Sequence, residues 1–300
     1  MGFDPSSVGE VMRVLVVAIW PVVMALIFAA ALVWSRRSSR EAVPGAPRRG
    51  SHVNPSAQSG MLSSPRLMDV GKLIGLTFIG AAAVYGAMDV LGLLVVNHGL
   101  AIDRPIYTWT THHWVQPWVH VMDRLTKIGN TWTCWAAAAA AAVCLSVTWR
   151  TKRWLPPVAL ATCIVVDHYT TLALRHTFHR LGPPDSPFGT YPSGGCDRAI
   201  LFYGLIAYLL WREFSGRRST AIWAGAVVAA LGFNEAYSRV YLTLHWFTDA
   251  LSGLLYGALL LAVFIIAVRA TAGPAVVQTG AADDHPEAVD EPSVASESIS

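Results

Sequence analysis

Apolar runs close to the length of a membrane span recur along the whole chain, and they constrain the fold more than any motif in it. They fall at residues 14–34, 71–96, 131–149, 155–174, 198–213, 219–237 and 249–268. About 20 apolar residues of helix cross a bilayer, and inside lipid every backbone N–H and C=O must be satisfied within the segment or a closed barrel. Runs of this length therefore read as helices. The charged residues lie mainly between the runs and make up only 14% of the chain, against 54% apolar. A soluble domain carries about a quarter charged residues, so that class is excluded. The expected fold is all-α, a polytopic membrane helix bundle of six core transmembrane helices plus one N-terminal anchor helix.

Charge between the runs orients them. Arg150, Lys152 and Arg153 mark one short loop and Arg212, Arg217 and Arg218 another, and the positive-inside tendency assigns both to the cytoplasm. Residues 97–130, 175–197 and 238–248 then share the extracytoplasmic side. The first run ends in Trp34-Ser-Arg-Arg, which is not a signal-peptide cleavage site. The expected organisation is an anchor at 1–34, a basic cytoplasmic linker at 35–69, a membrane domain at 70–270 and an acidic cytoplasmic tail at 271–300. The expected location is the plasma membrane. No internal repeat or pair of broken helices suggests a transporter.

Residues 97–130 carry Trp109, Trp114, Trp118, Val121 and Leu125 at helical spacing among polar neighbours. That pattern suits a helix in the headgroup layer. His112, His113 and His120 lie there without Cys or carboxylate at ligand spacing. Cys134, Cys144, Cys163 and Cys196 show neither disulfide nor zinc spacing.

Chemistry concentrates in two of the outward loops. Ser238-Arg-Val-Tyr-Leu-Thr-Leu-His-Trp-Phe-Thr-Asp249 opens the last run. If residues from about 244 are helical, His245 and Asp249 share a face, and the carboxylate orients one ring nitrogen while the other stays free. Arg239 offers a fork suited to phosphate oxygens, and Glu235, four residues earlier, is placed to hold it. The other loop runs from Arg175 through His176, His179, Arg180 and Asp185 to Tyr191-Pro-Ser-Gly-Gly195, directly before a helix. Free N–H groups at such a helix start stabilise an anion.

Ser238, Arg239, His245 and Asp249 fill the four fixed positions of Ser-Arg-x5-His-x3-Asp, which resembles the third signature of the type 2 phosphatidic acid phosphatase superfamily. Pro192, Ser193 and Gly194 resemble the start of its second signature, Pro-Ser-Gly-His. Arg175 and Pro183 match the ends of the first, Lys-x6-Arg-Pro. Two positions depart: Gly182 stands in place of an arginine, with Arg180 two residues away, and Gly195 in place of the histidine. The resemblance covers roughly residues 71–268. It implies a membrane lipid phosphatase working through a phosphohistidine, with His245 as nucleophile, Asp249 supporting it and Arg239 beside it. Arg175, Arg180, Ser193, Gly194 and Ser238 would bind phosphate. It implies no metal and no other cofactor, and a lipid substrate and the bilayer as partners, with no nucleic acid.

The histidine absent at 195 would protonate the leaving group, a role worth about 10²–10⁴ in rate. His176, His179, Asp185 and Asp197 are candidates for a substitute acid. With no substitute, a polyprenyl diphosphate is a more suitable substrate than a monoester, because a lipid phosphate leaves as a tolerable anion. Polyprenyl monophosphate and phosphatidic acid remain in the substrate class. The alternatives are transfer of a headgroup phosphate and a catalytically impaired lipid-binding scaffold.

Overall fold

The structure, a computed structural model, describes residues 64–149, 152–184 and 190–273. The anchor expected at 1–34, nearly all of the linker, Asp185 and the tail beyond 273 lie outside them. The described elements are helices α1 (Ser64–His98), α2 (Leu100–His112), α3 (Gln116–Leu125), α4 (Thr131–Thr148), α5 (Leu155–Phe178), α6 (Gly194–Phe214), α7 (Arg218–Tyr241) and α8 (Phe247–Ala272), with a 3-10 turn at Thr126–Gly129. Within the described segments, α1, α4, α5 and α8 are long and apolar enough to cross a membrane. The protein is an integral membrane protein of all-helical fold.

Local sequence accounts for the helix ends. Pro156 and Pro157 open α5, where the missing N–H has no intrahelical partner to lose. The helix closes at His179, whose backbone is left-handed at φ 43° and whose N–H bonds back to the Arg175 carbonyl. Arg175, expected at the start of a loop, therefore sits in the last turn of α5. The aromatic stretch 97–130 is helical as expected, but in two pieces. Pro117 stands in the first turn of α3, where its missing N–H costs no intrahelical bond, and the N-cap Val115 ahead of the helix is extended. Trp109, Trp114 and Trp118 are all exposed on this pair.

α6 is the most deeply packed element, with Leu201, Phe202, Leu205 and Leu209 fully buried against α7 and α8. Its buried N-terminus faces the turns that end α5 and α7. Pairings across the bundle, such as Arg180 with Asp103 and Glu235 with Gly129, show that residues 97–130, 179–184, 190–193 and 242–246 meet at one end. All four cysteines are free.

Candidate active site

His245 lies in the short link between α7 and α8, which turns sharply at Thr243, a β-branched residue at φ 53°. The α8 helix begins at Phe247, so His245 precedes it and the one-turn relation with Asp249 expected from the sequence does not arise. The Nδ1 atom of His245 lies 3.1 Å from the Thr190 carbonyl instead. Its Nε2 lies 3.4 Å from Nη1 of Arg239. A carbonyl only accepts and a guanidinium only donates, so the proton belongs on Nδ1 and the lone pair on Nε2. The result is the oriented neutral imidazole expected, with a main-chain oxygen as its orienter. Burial, then the charges of Arg239 and Arg175, hold His245 well below the ordinary histidine value.

Arg239 is held by two neighbours. Its Nε donates to Glu235 at 2.6 Å, the i, i+4 pairing that the spacing predicts, and its Nη2 donates to Asn130 at 3.2 Å. Glu235 is fully buried and also accepts from Thr126 and from the Gly129 N–H at 3.1 Å. A methyl group at Gly195 would run into the Arg239 guanidinium. The space beside Gly195 is filled by arginine.

Two further guanidiniums close on the same helix start. A Cβ built at Gly194 would lie 2.7 Å from Nη2 of Arg175 and 3.0 Å from Nη1 of Arg198. Among the described residues, Nε of Arg175 and Oγ of Ser193 are buried without a hydrogen-bond partner. Arg198 donates from Nε to the Gly129 carbonyl at 3.1 Å and faces Asp167 at 4.0 Å. The sequence reading did not single out Arg198 or Asn130. A signal for Arg198 exists, since a cation in the first turns of an apolar helix demands a reason. Asn130 carries no comparable signal.

Three expected site residues have other partners. Arg180, expected at phosphate, is buried with Nη2 on Asp103 at 2.6 Å and Nη1 on both Thr248, at 3.0 Å, and Asp249. Asp249, expected to support the imidazole directly, is paired with Arg180, because that guanidinium reaches it from the α5–α6 loop. Ser238 donates from Oγ to the Glu235 carbonyl at 2.9 Å within its own helix, as serine hydroxyls do mid-helix. The candidate acids are scattered. His176 and His179 are exposed with rings 6.1 Å apart, while Asp197 is buried and accepts from Thr171 at 3.3 Å.

An apolar cavity of about 260 Å³ lies beside this end, between α2, α7 and α8. Its walls include Trp109, Phe233, Tyr241, Phe247 and Leu254. Among the described residues no group of three or more His, Cys, Asp or Glu is arranged to hold a metal ion.

Comparison with known proteins places part of the chain. The PAP2 superfamily model matches residues 129–272. Those residues belong to the PAP2 superfamily. A putative undecaprenyl-diphosphatase, YbjG, from Escherichia coli K12 is 27% identical over 114 residues, covering 33% of this chain and 50% of its own. The chain thus spans about half the length of that relative. The crystal structure of a transmembrane PAP2-type phosphatidylglycerolphosphate phosphatase from Bacillus subtilis matches with a TM-score of 0.53 at 20% identity. It covers 65% of this chain and 94% of that one, and establishes the shared fold. The matched PAP2 segment contains Arg175, Ser193, Arg198, Arg239, His245 and Asp249, whereas Asp103 lies before it.

Proposed function

We propose that this protein is a membrane lipid phosphatase that transfers a phosphoryl group to His245 and then to water, with a lipid diphosphate as its best substrate. The observation that carries the reading is the orientation of His245, whose Nε2 lone pair faces Arg239 while Nδ1 is committed to Thr190. In the first step the bond from Nε2 to the terminal phosphorus forms and the bond from that phosphorus to the bridging oxygen breaks, so that the lipid phosphate leaves with the electron pair. Water then attacks the phosphohistidine and releases inorganic phosphate and the neutral imidazole. Such transfer needs mainly positioning and positive charge around the equatorial oxygens. Arg175, Arg198 and Arg239 supply that charge, and Ser193 Oγ with the N–H groups opening α6 supply further donors.

The leaving group distinguishes substrates. Gly195 donates no proton, and His176, His179 and Asp197 share no hydrogen bond with His245 or Arg239 among the described residues. A diphosphate releases a lipid phosphate, which needs no proton to depart, and the relative described as a putative undecaprenyl-diphosphatase supports the same choice. The apolar cavity lined by Trp109, Phe233 and Phe247 suits part of a hydrocarbon chain. The site is assigned to the extracytoplasmic face of the plasma membrane, because Lys152, Arg153, Arg212, Arg217 and Arg218 gather at the other end.

The test is phosphate release by the full chain in detergent from a polyprenyl diphosphate, a polyprenyl monophosphate and phosphatidic acid. Release should be fastest from the diphosphate and absent in His245→Ala. Equal rates on the monoesters would overturn the leaving-group argument, and undiminished release in the variant would overturn the nucleophile.

A further inference from the structure

We propose that Asp103, on the short helix α2, is a positioning residue for the reaction at His245 and acts through Arg180 and the first turn of α8. The inference rests on the phosphatase reading above. Asp103 is only 1% exposed, and both of its oxygens are committed. Oδ1 accepts the Thr248 N–H at 2.9 Å, while Oδ2 accepts the Thr248 hydroxyl at 2.7 Å and Nη2 of Arg180 at 2.6 Å.

Each of these bonds leads toward His245. Trp246, the residue before α8, makes no capping bond of its own. Helix starts leave N–H donors that an N-cap side chain usually satisfies, and here Asp103 provides the acceptor from another helix. It thereby fixes where α8 begins, two residues after His245. The other bond fixes Arg180, whose Nη1 holds Asp249 and whose carbonyl accepts the Thr190 N–H at 3.1 Å. Thr190 in turn orients the His245 ring. The Leu181 carbonyl accepts from the Trp246 indole at 2.9 Å, so the loop at 180–181 and the link at 245–249 are tied by side chain and main chain together.

Two further residues of this region are fastened nearby, Tyr107 on α2 and Trp114 in the link that follows it. Tyr107 meets Trp246 edge to face at 5.7 Å between ring centres, and Trp114 donates to the Tyr241 carbonyl at 2.7 Å. Other side chains of α2 are turned outward, with Ile102 and Trp109 more than half exposed. Asp103 is thus where a helix at the bundle surface reaches the reacting group.

Asp103→Asn separates the two roles. The carboxamide oxygen still accepts from Thr248, but the charge that holds Arg180 is gone and an amide donor can face a guanidinium donor. With the full chain in detergent and a polyprenyl diphosphate, kcat should fall about tenfold while KM stays within about twofold, because small misplacements act on the chemical step. In an Arg180→Gln background the same substitution should have little further effect. Unchanged kcat in a folded Asp103→Asn protein, or losses that multiply fully across the two backgrounds, would overturn the proposal. Inorganic vanadate binding, measured in the same variants, separates the two readings. If the unmodified chain turns over no lipid, the phosphatase reading falls, and vanadate decides this one. Weaker binding in Asp103→Asn than in the unmodified chain supports it, and equal binding sinks it.

Discussion

Arg180 and Arg239 both reach the neighbourhood of His245, and their surroundings differ. Arg180 is closed off, with its η nitrogens spent on Asp103, Thr248 and Asp249. Arg239 is anchored through Nε on Glu235 and through Asn130, which leaves Nη1 presented to the histidine. One side chain spends its fork on two carboxylates and a hydroxyl, and the other keeps one nitrogen beside the proposed nucleophile. Partner atoms and exposure, rather than residue type, separate a clamp from a proposed binding group.

Substitution breaks that comparison most sharply. Arg239→Gln should lower kcat about 10²–10³-fold, the usual loss on removing a donor to a developing oxyanion, while the chain still purifies as a folded species in detergent. Arg180→Gln should show the opposite balance. It leaves two buried carboxylates without their cation, and breaking a buried pair typically costs about 3–5 kcal/mol, so its thermal midpoint should fall by more than that of Arg239→Gln. Equal midpoints would erase the distinction between clamp and binding group.

Gly195→Ala presses on Arg239 alone and should reduce turnover about tenfold through misplacement, read as kcat on a polyprenyl diphosphate. The pH profile sharpens the comparison from the side of the histidine. Because His245 is held below the ordinary value of about 6.5, the neutral nucleophile persists into mildly acidic solution. The acid limb of kcat/KM should therefore lie below pH ~6.5 and move upward in Arg239→Gln, which removes a positive neighbour. Smallest of all, His176→Ala and His179→Ala should leave phosphate release within about twofold, since both side chains are exposed and apart from His245.

The hydropathy of the chain made the helices legible, and spacing alone gave the Glu235–Arg239 pair, because both lie on one helix. The convergence of three loops at one end also followed from the order of the runs. What stayed hidden depends on contacts between distant residues. Asp103 meets Thr248 across 145 positions, and nothing in its local sequence marks it. The partners of Arg180 are hidden for the same reason, since two acids from other segments claim its fork. The orienter of His245 was hidden differently: a main-chain carbonyl at Thr190 leaves no trace in residue identity.

The contact between Gly195 and Arg239 also bears on how such a sequence can change. A histidine introduced at 195 alone collides with the arginine, while an arginine displaced first leaves the buried Glu235 without its cation. Each single step is expected to pass through an impaired protein, so the residues at 195, 235 and 239 are contingent on one another. A variant of this chain with histidine at 195 is expected to lie several coordinated exchanges away rather than one. A mutant library meant to reach it must vary the three positions together.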